Sequence, residues 1–357
     1  MFRKGTRLKS VFSGFRFSLA EFAGSLGDLG TLLPLLVGLI AFNGIGAGTA
    51  LTLIGLSYIA TGVYYRVPVP VQPLKAAAMI AIATGATPGQ IRAAALWMAA
   101  IMLILAVTKL ADKLNSVFPR VLVHGLQAGL GLMMIRSGLK FIASYPNCLG
   151  DVISGMNASP SHAAFLPSTA DFASALLLLV LPQIPLTIGN SIIATRDCAV
   201  RYFGPTGERV TASRLSATIG IGNLAAGLFG GMPMCHGAGG MTAHYHFGAR
   251  TGAAGVMIGS LFLILGLGAG RWAPELLPAI PAWALGAPLA YAGIRHVLLA
   301  RKSFESLAGA TVVVSMAAVT LLGGSLLIAL AVGLMAKLVI HGCLALRGST
   351  NGLNTPG

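Results

Sequence analysis

At 357 residues the chain has the length of two or three soluble domains, yet 24 Lys+Arg and 9 Asp+Glu make it only 9% charged, against about 25% in soluble globular proteins. With 55% hydrophobic residues, a mean hydropathy of +0.83 and 47 glycines lying inside apolar stretches, the composition excludes an ordinary soluble protein and specifies a polytopic membrane protein. The net charge of +15 is not a nucleic-acid footprint, because the basic residues stand singly or in short groups between apolar runs, with no continuous basic stripe.

In chain order, Arg3, Lys4, Arg7, Lys9 and Arg16 precede an apolar run that continues past Glu21 and Asp28 to Ile40, which reads as an uncleaved first span rather than a signal peptide. Further windows of about 20 mainly apolar residues follow near 46–65, 93–109, 118–139, 172–194, 214–230, 252–270, 276–294, 306–322 and 324–342. Two more stretches, 68–87 and 232–249, are apolar but interrupted, one by Pro68, Pro70 and Pro73, the other by Pro233 and a run of glycines. These predict discontinuous spans, and so an all-α fold of about twelve spans with two broken helices. Non-helical backbone at membrane depth is tolerated only against protein or a water-filled cavity, which makes the two breaks the first candidates for a binding site.

With the N-terminus inside, this threading leaves only Arg92, Arg136, Lys140 and Arg271 outside and Lys75 within the membrane; every other basic residue faces the cytoplasm. The expected organisation is a cytoplasmic segment 1–17, a first membrane repeat 18–145, an external loop 146–171, a second repeat 172–346 and a cytoplasmic tail 347–357. Pro70 and Pro233 are 163 positions apart and Gly30 and Gly189 are 159 apart. Phe118-Pro119 recurs as Leu277-Pro278, and Leu130, Ile135 and Arg136 as Leu289, Ile294 and Arg295, again offset by 159. Five spans in the first half make the second enter from the opposite side, so the repeat is inverted.

The chemistry concentrates at the breaks. Val69-Pro70-Val71-Gln72-Pro73-Leu74-Lys75-Ala76 predicts an extended stretch followed by a helix whose first turn carries Lys75. Met232-Pro233-Met234-Cys235-His236-Gly237-Ala238-Gly239-Gly240 is the corresponding device, with glycines that let a bound group approach the backbone. Two helix N-termini facing each other, with Lys75 adding a full charge, make an anion site. Gln72, Pro73, Lys75, Cys235, His236, Gly237 and Gly239 are its expected lining, with Gln183, Thr187 and Asn190 from the span opposite. Prolines that merely kink packed helices are the plainer alternative.

Asp28 and Glu21 share a face of the first span, and a carboxylate in the membrane is costly enough to suggest proton carriage, with His236 as a third coupling group. A structural role for Asp28, neutralising Lys75 or capping freed backbone, stands beside that reading. His244 and His246 point to different sides of a helix and read as residues of its cytoplasmic end. No metal or cofactor is expected: Cys148, Cys198, Cys235 and Cys343 show no CxxC spacing, and nucleotide-binding, GxSxG and HExxH motifs are missing from the sequence. Gly125-Leu126-Gln127-Ala128-Gly129 reads as a helix-packing face.

Pro70-Val71-Gln72-Pro73-Leu74-Lys75-Ala76, Met232 to Gly240, Tyr245 to Gly252 and Gly27-Asp28-Leu29-Gly30-Thr31 together resemble the signature motifs of the molybdate transporter family, relatives of the SulP sulfate permeases. The resemblance runs from Glu21 to about His341. It implies an inverted-repeat core-and-gate fold of the sulfate and uracil permease kind, and import of molybdate by proton-coupled symport, with no enzymatic activity. Two departures from the wider superfamily are the lack of a soluble C-terminal regulatory domain and a count of twelve spans rather than fourteen. Tungstate and sulfate are further candidate substrates, since tetrahedral dianions share charge and shape. A sulfate, nucleobase or other small-anion permease, an anion channel and a membrane-embedded enzyme using Asp28 and His236 are the alternatives. The implied partners are molybdate, protons and the lipid bilayer, with no nucleic acid; a homodimer is admitted but not specified. The compact loops and missing soluble domain suggest the bacterial inner membrane, with both termini cytoplasmic.

Overall fold

The computed structural model describes residues 13–110, 119–144 and 167–351. The basic N-terminal residues before Arg16, Lys113, Phe118, Cys148 and most of the 146–171 loop lie outside the described residues.

Twelve helical tracts and one short two-stranded ladder make up the described chain. In order they are α1 (Leu19–Asn43), α2 (Ala47–Tyr65), β1 (Gln72–Pro73), α3 (Lys75–Thr84), α4 (Pro88–Thr108), α5 (Arg120–Ser144), α6 (Thr169–Arg209), α7 (Ala212–Phe229), β2 (Met234–Cys235), α8 (Ala238–His246), α9 (Ala253–Ala279), α10 (Ala282–Leu299), α11 (Leu307–Leu321) and α12 (Leu326–Asn351). Four of these, α1, α2, α4 and α6, are by length and composition sufficient to cross a bilayer on their own; shorter apolar stretches lie in α3, α9, α11 and α12. Large side chains such as Leu267, Leu307, Leu322 and Leu338 are exposed on the outer faces, as a lipid-facing surface requires.

The helix pairing repeats when the halves are exchanged. Packing of α2 on α9 is matched by α7 on α4, α5 and α10 pack on each other, and β1 pairs with β2. Glycine makes these approaches close. A Cβ placed on Gly55 would stand 2.6 Å from the Gly259 carbonyl, and one on Gly259 would stand 2.6 Å from that of Gly55. Gly131 and Gly293 stand in the same reciprocal relation at 2.5 Å. Such backbone contact is how membrane helices gain packing energy without a hydrophobic driving force between them. The α4–α7 contact is built differently, with Gly220 and Gly227 set against the side chains of Leu103 and Leu96. Gly125 and Gly129 fit the expected packing face, meeting Met316 and Thr320 of α11.

Both breaks take the expected form. After Tyr65 the chain runs extended through buried Val67, Val69 and Val71 to β1, and β2 lies antiparallel to it with Gln72 opposite Cys235 and Pro73 opposite Met234. Prolines cannot donate to a helix, and burying this extended backbone requires other partners. Leu74 N donates to Pro233 O at 3.0 Å, while Asn223 of α7 acts as a side-chain strand, donating to Met234 O and accepting from Met234 N at 3.1 Å. Because the strands are antiparallel, α3 and α8 leave the ladder from opposite ends.

Candidate oxyanion site between the broken helices

Lys75 opens α3 and is only 7% exposed, with neither a hydrogen bond nor an ion pair among the described residues. A lysine held in the membrane without a contacting counter-charge is costly, and an anion beside it lowers that cost.

The start of α3 is otherwise occupied. Gln183 of α6 accepts from the amides of Ala76 at 2.9 Å and Ala77 at 3.2 Å, and its own amide donates to Thr187 Oγ1 at 3.0 Å. Gln183, expected to face the anion, is therefore the cap of the half-helix, and Thr187 is fully buried behind it. The geometry that permits this is local: Pro182 and Pro185 cannot donate within α6, and the tract widens into π-type turns at Leu176–Val180 and Thr187–Ala194. Asn190 stays partly exposed on the widened turn, with Nδ2 against Gly237. Ser191, which the sequence did not single out, is buried beside Cys235.

The start of α8 has no side-chain cap on its N-cap residue, Gly237. Instead Asp28 and Gln72 lie against it. Gln72 Nε2 donates to Asp28 Oδ1, leaving Asp28 Oδ2 and Gln72 Oε1 buried with no hydrogen-bond partner. Glycine is required here: a Cβ on Gly240 would lie 2.6 Å from Gln72 Nε2 and 2.8 Å from Asp28 Cγ, and one on Gly237 would overlap Gln72 Oε1. At Gly239 the same atom would meet nothing within 4 Å, so open space adjoins the first turn of α8. Cys235 is buried and its thiol donates to Pro73 O at 3.5 Å.

Two expected site residues are engaged elsewhere. Glu21 is buried, but its carboxylate accepts from Arg250 N at 3.1 Å and Thr251 N at 2.9 Å, pinning the turn that leads into α9. Both oxygens bond backbone more than 220 residues away in sequence, a structural role that spacing within the first span could not reveal. His236 donates from Nδ1 to Pro70 O at 2.8 Å, and its Nε2 meets the Thr218 hydroxyl at 2.8 Å, which in turn meets Tyr65 OH at 2.9 Å. With both nitrogens hydrogen-bonded, His236 braces the two extended segments. His244 differs from the expected end residue: it is fully buried, stacked on Tyr58 with ring centroids 6.3 Å apart, whereas His246 is exposed.

Lys75, Asp28, Gln72, Cys235, Asn190 and Gly239 thus converge at one place, with Gln183 and Thr187 behind them. A small apolar cavity against α3, lined among others by Leu39, Leu74, Ala77, Ala81, Ile91 and Pro233, adjoins the two breaks and offers an oxyanion no side-chain donor.

Comparison with known proteins gives a consistent picture. The model of a family described as "Molybdate transporter of MFS superfamily" matches residues 20–134 and 175–296. Molybdate transporter 2 of Arabidopsis thaliana is 27% identical over 95% of this chain and 89% of its own length. Among solved structures, the transmembrane domain of the cyanobacterial bicarbonate transporter BicA superposes with a TM-score of 0.60 at 16% identity, covering 88% of this chain and 97% of that one. The murine solute carrier 26 family member A9 anion transporter, in its inward-facing state, gives a TM-score of 0.60 at 14% identity over 95% of this chain and 72% of that one. These two likenesses establish the fold.

Proposed function

Because the chain belongs to the molybdate transporter family, an integral membrane family of transporters and not enzymes, we propose that it imports molybdate by secondary active transport and binds the oxyanion beside Lys75, where α3 and α8 begin. The observation that carries this reading is Lys75, a lysine only 7% exposed whose side chain has neither a hydrogen bond nor an ion pair among the described residues. A tetrahedral dianion there would receive the charge of Lys75, the positive dipole end of α8 and hydrogen bonds from Asn190 and the Gly239 backbone. Cys235, Gly237, Gln72 and Pro73 shape the walls, while Gln183 and Thr187 hold the start of α3 in place.

Coupling to protons follows from charge. Bringing a dianion into an inside-negative compartment costs about 2.3 kcal/mol per charge per 100 mV, and each co-transported proton offsets one charge. Asp28 is the proton carrier in this reading, since its Oδ2 is buried without a partner and a protonated carboxyl at that atom becomes a donor. The positive-inside distribution argues for cytoplasmic termini. The test is uptake of molybdate into proteoliposomes containing the purified chain, with and without an imposed inward proton gradient. Gradient-driven accumulation that collapses with an uncoupler supports symport, and uptake indifferent to the gradient contradicts it. Sulfate in excess distinguishes a molybdate carrier, which it leaves running, from a general sulfate permease, which it blocks.

A further inference from the structure

His244 lies in the last turn of α8, fully buried, and both of its ring nitrogens are enclosed with no hydrogen-bond partner among the described residues. An imidazole always carries at least one N–H, so leaving both nitrogens unpaired forfeits stability that an apolar ring would keep. Packing does not require a histidine here, because its stack on Tyr58 of α2 could be made by a phenyl ring.

The backbone geometry ties this residue to Asp28. A Cβ on Gly27 would stand 3.0 Å from the carbonyl carbon of Ala243, the residue before His244, and one on Gly240 would stand 2.8 Å from Asp28 Cγ. The Gly27–Asp28 turn of α1 therefore runs along α8 from Gly240 to Ala243. Gly240 and His244 are one turn apart on the same helical face, about 6 Å between Cβ positions. Asp28, its Oδ2 unpartnered, thus stands at the start of this face, and His244 one turn further on, toward the end where His246 is exposed. The other ionisable groups around α8 are engaged or lie on other faces. Glu21 holds the amides of Arg250 and Thr251, and the Arg250 guanidinium lies 3.9 Å from the centre of the Tyr245 ring. Cys198 and Tyr202 of α6 meet Thr242, two residues from His244, and the Arg196–Asp197 pair on the same helix is exposed. From α9 the approach is made by Phe262, stacked on Tyr58.

We propose that His244 is a second proton-binding residue of the coupling path, taking the proton of Asp28 onto a ring nitrogen and passing it on toward the exposed end of α8. The assignment rests on the reading of Asp28 as proton carrier. In the step the O–H bond of the Asp28 carboxyl breaks and an N–H bond forms on the imidazole, so a neutral pair becomes a carboxylate and an imidazolium. An enclosed imidazolium is costly by itself, and the carboxylate left on the adjoining turn offsets that cost. His244 serves the proton alone; the oxyanion stays with the residues at the helix starts.

The test compares wild type, His244→Phe and His244→Gln as purified full chains, by molybdate accumulation in proteoliposomes under an imposed inward proton gradient and by thermal stabilisation with molybdate in detergent. A gradient of about one pH unit supports about tenfold accumulation for each coupled proton in the wild type. In His244→Phe, which keeps the stack but cannot take a proton, that accumulation should collapse to the level seen with an uncoupler. The same loss is expected in His244→Gln. The melting point of His244→Phe should stay level or rise, because an orphan polar group has been removed, and molybdate should still stabilise it. Wild-type accumulation in His244→Phe overturns the assignment, and so does a melting point that falls in both variants together with molybdate stabilisation, which is the mark of a packing role. Wild-type uptake indifferent to the gradient removes proton coupling itself and the His244 assignment with it.

Discussion

At the start of α3, the amides of Ala76 and Ala77 are closed off by Gln183 and the positive charge is carried by a side chain, Lys75. At the start of α8 no side chain stands in the capping position, glycines replace bulk, and the ionisable group comes from α1 as Asp28, locked to Gln72 of the other break. The same inverted device has thus been loaded asymmetrically: one break supplies a cation and the other exposes backbone beside a carboxylate. The flanking tracts differ too, since α1 tightens into a 3-10 turn at Leu26–Asp28 while α6 widens into π-type turns over Thr187–Ala194. Symmetry pairs the two breaks, and its violation gives the proposed site one charged donor and one carboxylate.

The largest expected effect of breaking this division is at Lys75. Lys75→Ala should weaken molybdate binding by about a hundredfold or more, the scale of losing one member of a desolvated charge pair, while the protein remains folded; equilibrium titration with size-exclusion chromatography checks both. Next comes Gly240→Ala, which forces a Cβ against Gln72 and Asp28 and should destabilise by about 2 kcal/mol, whereas Gly239→Ala, with open space beside it, should melt normally yet bind poorly. Comparing their melting points and affinities separates the two glycines.

The carboxylates of α1 sharpen the contrast further. Asp28→Asn should retain binding but lose proton-driven accumulation, and Glu21→Gln should keep the pH-gradient dependence while losing about 1–2 kcal/mol of stability from hydrogen bonds to a charged group. Proteoliposome uptake and thermal melts report these directly. Smallest is Gln183→Ala, where loss of the cap on α3 should cost about 1 kcal/mol and a modest fall in affinity.

Much of this arrangement was legible in the sequence because its causes are local. Prolines 68, 70, 73 and 233 forbid helical hydrogen bonding where they stand, so the two breaks, Lys75 and the glycine-rich start of α8 could be read directly. The rest depends on partners remote in the chain. Gln183 lies 107 residues from the amide it caps, and Glu21 lies 229 and 230 residues from the amides that claim it. His236 looked available because its neighbours in sequence are glycines, but Pro70 and Thr218 take both nitrogens.

The most direct measurement is an anomalous-scattering map from crystals of the purified chain grown with molybdate, with data collected at the molybdenum edge. The account predicts one strong peak within hydrogen-bonding distance of Lys75 Nζ, between the starts of α3 and α8. A well-occupied peak elsewhere in the membrane region, with Lys75 unvisited, would contradict it.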